Sequence, residues 1–278
     1  MKGEGGRGKG KNLVLVNGEA AAGNDVLDRG LHYGDGVFRT LKVAGGKVRW
    51  WDEQFRKLAE DCAALAIPCP DKAVLEAEVL RLAGEPDVGV IKIIITRGVG
   101  QRGYAIPADA APRRIVMGFP GTSQENRDVR VRWCELRLSS QPRLAGIKHL
   151  NRLENVLARM EWDDPAVAEG LLLDQGGRVI EGTMSNVFLR VGSVIRTPDL
   201  SQCGVTGVQR ERILERAPGL ELRAEVGEIS LDELLAADEV WLSNSVIGLW
   251  PVRAIGAHAI PLGETARALY ALLESDSD

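Results

Sequence analysis

The feature that most constrains this sequence is the stretch from Arg143 to Arg159, RLAGIKHLNRLENVLAR, which surrounds Lys148. Apolar residues follow the lysine at helical spacing: Leu150, Leu153, Val156, Leu157 and Met160. This spacing predicts an amphipathic helix that begins at the lysine. A lysine fixed beside a core is partly desolvated, which lowers its pKa and suits covalent catalysis. The residues alone also allow a simpler interpretation, a solvated lysine at the start of a helix.

The residues before this stretch predict a small α/β lobe from residue 12 to residue 120, preceded by a flexible basic tail at residues 1–11. Predicted strands run from Leu13 to Val16, Val37 to Val43, Lys47 to Trp51, Val88 to Thr96 and Arg114 to Phe119. Two helices are predicted among them. Asp52 is expected to cap the first, which ends before Pro68, and Asp71 begins the second, which ends at Gly84.

A polar segment at residues 121–128 is interpreted as a linker to a larger lobe, residues 129–278. That lobe is predicted to contain a strand from Val129 to Leu138, hairpins from Gly170 to Glu181 and from Asn186 to Thr197, a helix from Thr206 to Leu214, a strand from Glu239 to Leu242 and a final helix from Glu264 to Leu273. Strands mixed with helices in both lobes predict a two-domain α/β (α+β) protein.

Charge and composition limit the possible partners. The net charge is -4 and the hydrophobic content is 45%, so nothing favours binding to nucleic acid or to an anionic membrane. No apolar run could span a bilayer, and the first residues have no apolar signal-peptide core. The four cysteines form no CxxC pair, and with three histidines they predict no metal site. A reducing cytoplasm is the expected location.

Several motifs together resemble one family. GIKHLNRLE around Lys148, the opening motif DRGLHYGDGVFRT, and the segments VIEGTMSNVFL, GVTGVQRERIL and LSNS occur in the order found in the fold-type IV pyridoxal-phosphate enzymes, the class IV aminotransferases. The resemblance runs from about Leu13 to Leu273. It implies a small N-terminal lobe for substrate recognition and a larger cofactor-binding lobe with a mixed, barrel-like sheet. It also implies a homodimer, as in the family, and pyridoxal 5'-phosphate as the cofactor.

The resemblance also assigns the cofactor contacts. Lys148 is the residue that binds the cofactor covalently, and Glu181 is the carboxylate that keeps its pyridine nitrogen protonated. The remaining implied contacts are Ser185 and Asn186 beside the ring, and Arg56, Val205, Thr206 and Ser245 at the phosphate. Free N–H groups at the loop-to-helix junction near Thr206 suit an anion on general grounds. Without the resemblance, a solvated helix arginine and a solvated hairpin glutamate are the simpler interpretations of Arg56 and Glu181.

Substrate recognition is expected from the first lobe. Tyr33 and Phe38 are expected to line the pocket, and Arg102 to bind a carboxylate of the substrate with Tyr104 beside it. Solvated loop arginines remain the alternative. Arg39 departs from the family pattern, because many relatives have a glutamate there. His149 could act as a base, but a structural role is preferred because Lys148 already supplies one.

The sequence of the Lys148 segment is most similar to that of the aminodeoxychorismate lyases. The resemblance thus implies a lyase that converts 4-amino-4-deoxychorismate to 4-aminobenzoate and pyruvate in folate biosynthesis. An aminotransferase acting on D-amino acids or branched-chain amino acids is the alternative enzyme, since it uses the same lysine and glutamate. A binding protein that keeps the fold is the non-enzyme alternative, and the presence of every cofactor-binding motif argues against it.

Overall fold

Two β-sheets and the helices around them form the described structure. A computed structural model describes residues 13–20, 27–121 and 127–275. The first sheet has six strands and the second has nine. The tail predicted at residues 1–11 and most of the linker predicted at residues 121–128 lie outside the described residues, and the proposed lobe boundaries stay a prediction.

The first sheet is antiparallel throughout and has the strand order β2-β1-β6-β5-β3-β4. Its strands are β1 Leu13–Val16, β2 Glu19–Ala20, β3 Gly36–Ala44, β4 Lys47–Val48, β5 Val90–Thr96 and β6 Arg113–Phe119. The helices of this half are α1 Arg29–Tyr33, α2 Trp51–Ala64 and α3 Lys72–Ala83. Alternate residues of β5 are buried against α2 and α3, where Leu58 and Leu75 enter the same apolar core. The two predicted helices therefore form for the expected reason.

The second sheet is mixed and partly closed on itself. Its strands are β7 Val129–Leu138, β8 Val167–Asp174, β9 Val179–Gly182, β10 Asn186–Val191, β11 Val194–Pro198, β12 Arg223–Gly227, β13 Glu239–Asn244, β14 Gly248–Ile255 and β15 His258–Ala259. The order is β12-β11-β10-β13-β14-β7-β8-β9, and an additional pairing of β9 with β10 closes part of this path into a ring. Both predicted hairpins, β8–β9 and β10–β11, are present. The mixed α/β class and the barrel-like core are confirmed.

The helices of the second half are α4 Leu153–Arg159, α5 Val208–Arg216, α6 Leu231–Leu235 and α7 Thr265–Ser275. Helices α5 and α7 cover one face of the sheet. There the rings of Phe188 and Trp241 stack on each other, in the same core as Ile213 and Leu269. Within the described ranges, no helix combines the length and the apolar character needed to cross a membrane.

The prediction that a helix begins at Lys148 is wrong. The Phe38 N–H donates to the Lys148 carbonyl and the Leu150 N–H donates to the Gly36 carbonyl, so this segment pairs with β3 and α4 starts only at Leu153. The apolar face of α4 is also exposed, with Leu153 at 67% and Met160 at 72%. Pairing with a distant strand overrides the local helical pattern.

The predicted cap at Asp52 is wrong as well. The residue that precedes α2 is Trp50, in the left-handed conformation with φ 57°, and Asp52 lies within the first turn. There the Asp52 carboxylate accepts a hydrogen bond from Lys72 Nζ at 2.6 Å. The strand predicted from Lys47 to Trp51 is correspondingly shorter, since β4 ends at Val48. Asp71, by contrast, caps α3 as predicted, accepting from the N–H groups of Ala73 and Val74.

Candidate active site

A cavity of about 910 Å³ lies between the two sheets. The segments that line it come from both halves of the chain: β3, the Lys148 segment, the β9–β10 turn, the start of α5 and the end of β13. It contains most of the predicted cofactor contacts, namely Lys148, Glu181, Ser185, Asn186, Val205 and Ser245. Motifs that are far apart in sequence therefore meet in one place.

Lys148 is held by its backbone on both sides. Its carbonyl accepts from Phe38 at 2.9 Å, and its N–H donates to the Asp61 carboxylate at 3.3 Å. The Nζ atom lies 4.8 Å from the centre of the Phe38 ring. Although the side chain borders the open cavity, desolvation by the surrounding protein lowers the pKa of Lys148 to about 8, and the Arg39 charge acts in the same direction. A neutral amine is thus accessible near neutral pH.

Glu181 lies in the buried strand β9, one residue before its end, and is only 4% exposed. Its Oε2 accepts from the Val205 N–H at 2.9 Å. Burial raises the pKa of Glu181 to about 7, while the Val205 hydrogen bond and the charges of Arg152 and Lys148 oppose the rise. A carboxylate in this setting gains most from a cationic partner inside the cavity, such as a protonated pyridine nitrogen.

The start of α5 forms the opposite end of the cavity. Gly207 precedes the helix in an extended conformation, and its N–H donates to Asn186 Oδ1 at 3.2 Å. The Asn186 amide also donates to the Val205 carbonyl at 2.8 Å, so one side chain fixes the loop. The first N–H groups of a helix lack intrahelical acceptors and favour anions. Ser245 lies beside them and accepts from Gln54 of α2 at 2.9 Å.

Thr206 faces away from this cavity, toward a second one of about 450 Å³. Its hydroxyl donates to the Gly146 carbonyl at 2.9 Å and accepts from Lys57 Nζ at 3.2 Å. The structure does not bring Arg56 to the phosphate end. The Arg56 side chain is half exposed and pairs with Glu60 and Glu211.

Lys57, which was not among the predicted contacts, is the basic residue that lies on the buried face of α2. Lys57 and Asp61 each precede a buried apolar residue, Leu58 and Cys62, on the same face of α2. Successive helical residues are rotated by about 100°, so Arg56 points elsewhere. The helical pattern was the signal that could have identified Lys57.

Of the four predicted substrate residues, one lines the cavity and three lie outside its lining. Phe38 lines the cavity beside Lys148. Tyr33, Arg102 and Tyr104 do not: the Tyr33 hydroxyl accepts from the Gly103 N–H at 3.1 Å, its ring contacts Tyr104, and Tyr104 is 85% exposed. Arg102 is exposed on the same loop. Within one copy of the chain, this loop stays outside the Lys148 cavity.

Two further positions are accounted for by local contacts. Arg39 is buried, pairs with Asp61, and donates to the Lys57 carbonyl at 3.2 Å. Asp61 also accepts from the Lys148 N–H, so Arg39 helps to hold the backbone of the lysine through Asp61. His149 is buried against Arg152, and burial lowers the pKa of His149 to about 4. It is neutral at physiological pH, and its ring faces a different cavity from the one that contains Lys148.

Two buried polar side chains test whether the cavity fits pyridoxal phosphate. Gln209, in the first turn of α5, is 1% exposed, and neither atom of its amide has a hydrogen-bond partner among the described residues. The hydroxyl of Ser243 on β13 is also buried and unpaired within that part of the chain. Both line the cavity. Unsatisfied polar atoms beside a helix start, opposite a lysine and a carboxylate, fit a ligand with a phosphate, a carbonyl and a ring nitrogen.

Comparisons with known proteins agree with this geometry. A profile of the family described as Amino-transferase class IV matches residues 36–255. An aminodeoxychorismate lyase of Vibrio harveyi is 35% identical over 92% of this chain and 98% of its own length. A D-alanine aminotransferase of Bacillus licheniformis is 27% identical over 90% of each chain.

Among solved structures, the 4-amino-4-deoxychorismate lyase of Pseudomonas aeruginosa is 47% identical. It superposes with a TM-score of 0.89 over 96% of this chain and 100% of its own. The profile covers most of the chain and the Vibrio relative matches almost end to end. The chain therefore belongs to the class IV aminotransferases, a family of enzymes that use pyridoxal phosphate.

Proposed function

We propose that this protein converts 4-amino-4-deoxychorismate to 4-aminobenzoate and pyruvate, a step of folate biosynthesis. The observation that carries the proposal is Lys148, whose amine borders the same cavity as Glu181 and has a pKa lowered to about 8. Two of the lyases among the relatives, at 35% and 47% identity, support the choice of substrate.

The residues divide the work between two ends of the cavity. When bound, pyridoxal phosphate supplies a ring that accepts electrons from the substrate's amine-bearing carbon. The start of α5 and Ser245 would hold the phosphate, and the carboxylate of Glu181 would hold a proton on the pyridine nitrogen. Lys148 would hold the cofactor covalently, and its neutral amine would take the proton from the amine-bearing carbon of the substrate.

Loss of that proton leads to departure of the enolpyruvyl group. The bond between the ring carbon and the enolpyruvyl oxygen breaks with its electron pair on oxygen, the ring becomes aromatic, and the departing enolate takes up a proton at its methylene carbon to give pyruvate. The amine stays on the aromatic product. No second amino acceptor is consumed, so the two products form in equal amounts from one substrate.

A class IV aminotransferase acting on D-amino acids or branched-chain amino acids is the second candidate. The D-alanine aminotransferase relative, at 27% identity, is the observation that keeps it open. Such an enzyme would use the same Lys148 and Glu181 and would need an added keto acid for repeated turnover.

Product analysis separates the two functions. Purified protein with pyridoxal phosphate and 4-amino-4-deoxychorismate alone should release equal amounts of pyruvate and 4-aminobenzoate over many turnovers. Turnover that requires a keto acid, with no pyruvate from 4-amino-4-deoxychorismate, would instead establish the aminotransferase.

We further propose a homodimer in the cytoplasm, with α4 at the interface. The exposed apolar face of α4 consists of Leu153, Val156, Leu157 and Met160. Val156 and Met160 also line the cavity, so a partner there would lie close to the substrate. Light scattering should give twice the monomer mass, and Leu157→Glu should yield monomers. A wild-type monomer at micromolar concentration would refute this arrangement. All four cysteines are free thiols, in keeping with a reducing compartment.

A further inference from the structure

Glu169 is a buried carboxylate for which the proposed reaction has no role. It lies on β8 with 0% exposure, and its side chain borders the cavity that contains Lys148 and Glu181. Burial raises the pKa of Glu169, and the hydrogen bonds to its oxygens oppose the rise. A buried carboxylate is tolerated only where donors replace the lost water.

The donors come almost entirely from one turn. Oε1 accepts from the Thr183 N–H at 3.2 Å, from the Thr183 hydroxyl, and from the Gly170 N–H at 2.9 Å. Oε2 accepts from the Met184 N–H at 3.1 Å and the Ser185 hydroxyl at 3.0 Å. Residues 183–185 connect β9 to β10 and are thus wrapped around the Glu169 carboxylate.

This turn lies between two residues of the proposed cofactor site, since Glu181 is the next-to-last residue of β9, Asn186 begins β10, and the two are paired. Its close approach to Glu169 requires glycine at position 182, because a Cβ there would lie 2.3 Å from Ser185 Oγ and 3.0 Å from Glu169 Cγ. The Ser185 carbonyl accepts from the Gly182 N–H at 2.7 Å.

The outer side of the turn is held separately. Asn155 of α4 donates to the Thr183 carbonyl at 2.9 Å, and Asn244 at the end of β13 donates to the Met184 carbonyl at 3.0 Å. These two amides bind carbonyl groups only. The Thr183 N–H is shared with the Gly170 carbonyl at 3.0 Å, and Glu169 is the acceptor for the Met184 N–H and for the Thr183 and Ser185 hydroxyls.

We propose that Glu169 is a positioning residue, whose carboxylate holds residues 183–185 so that the Ser185 hydroxyl and the Glu181 carboxylate are fixed against the pyridine ring. The proposal rests on the family's cofactor and not on the choice between lyase and aminotransferase. Glu169 also adds a negative charge near Glu181 and thereby raises the Glu181 pKa.

The test is Glu169→Gln, which keeps the shape. The amide nitrogen would face the Met184 N–H and leave it unpaired. Asp174→Asn is the matched control: Asp174 is a buried carboxylate on the same strand that accepts from Arg178, and it lies outside the cavity lining. Each variant is loaded with pyridoxal phosphate, and four quantities are measured: cofactor absorbance against pH, cofactor Kd, kcat/KM and Tm.

For Glu169→Gln we expect kcat/KM to fall about tenfold or more, and the titration of the cofactor absorbance to shift. The cofactor Kd should change little, because the phosphate end is separate. Asp174→Asn should lower Tm and leave the absorbance titration as in wild type. A lower Tm in Glu169→Gln with an unchanged titration and kcat/KM would overturn the proposal and leave Glu169 a purely structural residue.

A second variant covers the case in which Glu169→Gln does not fold. Thr183→Val removes one hydroxyl donor and should shift the absorbance titration in the same direction by a smaller amount, and no shift would overturn the proposal. The absorbance readout needs no substrate. If wild-type protein fails to release pyruvate from 4-amino-4-deoxychorismate, the lyase assignment fails while the test of Glu169 still gives its answer.

Discussion

Replacing Lys57 with methionine tests whether the inner face of α2, rather than Arg56, supports the proposed phosphate-binding start of α5 from the smaller cavity. The Lys57 side chain is 8% exposed and its Nζ lies 3.2 Å from Thr206 Oγ1. A hydrogen bond to a charged group is worth about 1.5–3 kcal/mol. Glu60 and Glu211 each lie 3.0 Å from the same Nζ and also pair with Arg56, so Lys57→Met removes one of the two cations that face these carboxylates. Lys57→Met should therefore weaken binding of pyridoxal phosphate about tenfold or more.

The assay is a titration of cofactor-free protein with pyridoxal phosphate, followed by absorbance. Arg56→Met is the matched control from the adjacent position. Its exposed ion pairs are each worth about 0.2–1 kcal/mol, so affinity should change less than about fivefold. Pyridoxal without its phosphate should bind Lys57→Met and wild type equally. A large loss in Arg56→Met together with wild-type affinity in Lys57→Met would refute this reasoning and reinstate Arg56.

Three further predictions concern Lys148 and Glu181. Lys148→Ala should lower turnover by several orders of magnitude and leave no cofactor attached after borohydride reduction, as mass spectrometry will show; near-normal turnover would contradict the catalytic assignment. Glu181→Gln should lose most activity while circular dichroism stays native, and unchanged activity would make Glu181 an ordinary hairpin residue. In cofactor-free protein, the Glu181 pKa is raised from 4.5 to about 7, so its contribution to stability is present below pH 4.5 and lost as pH rises through 7. Denaturant titrations should show that wild type loses stability relative to Glu181→Gln across this range, and parallel curves would contradict the raised pKa.

The sequence identified residues whose surroundings are set by their own segments. Glu181 lies between apolar neighbours on both sides, and β9, which carries it, is buried throughout. Lys148 was located by its motif, but the helix expected to begin there does not form. Its segment pairs instead with β3, more than a hundred residues earlier in the chain. Local periodicity contains no information about such pairing, which explains why the start of α4 was wrong.

The side chains that reach the cavity were harder to predict than the segments that carry them. Arg56 is the residue type best suited to a phosphate, but its neighbour Lys57 has the inward direction on α2. Arg102 and Tyr104 lie on an exposed loop, and where that loop acts depends on what packs against it. A sequence gives the residue type at each position, whereas the direction of a side chain depends on how its segment packs.

Helix α2 contacts several of the segments that form the site and thereby fixes their relative positions. Its buried polar residues recur at i, i+3 and i+7, which places them on one face. Each meets a different segment: Gln54 donates to Ser245, Lys57 donates to Thr206, and Asp61 accepts from the backbone of Lys148. The serine lines the cavity that contains Lys148, the threonine precedes the start of α5 and faces the smaller cavity, and the lysine is the residue to which the proposed chemistry is assigned. A helix from the first half of the chain thus fixes the spacing between anion binding and proton transfer, so a displacement of α2 would disturb both together.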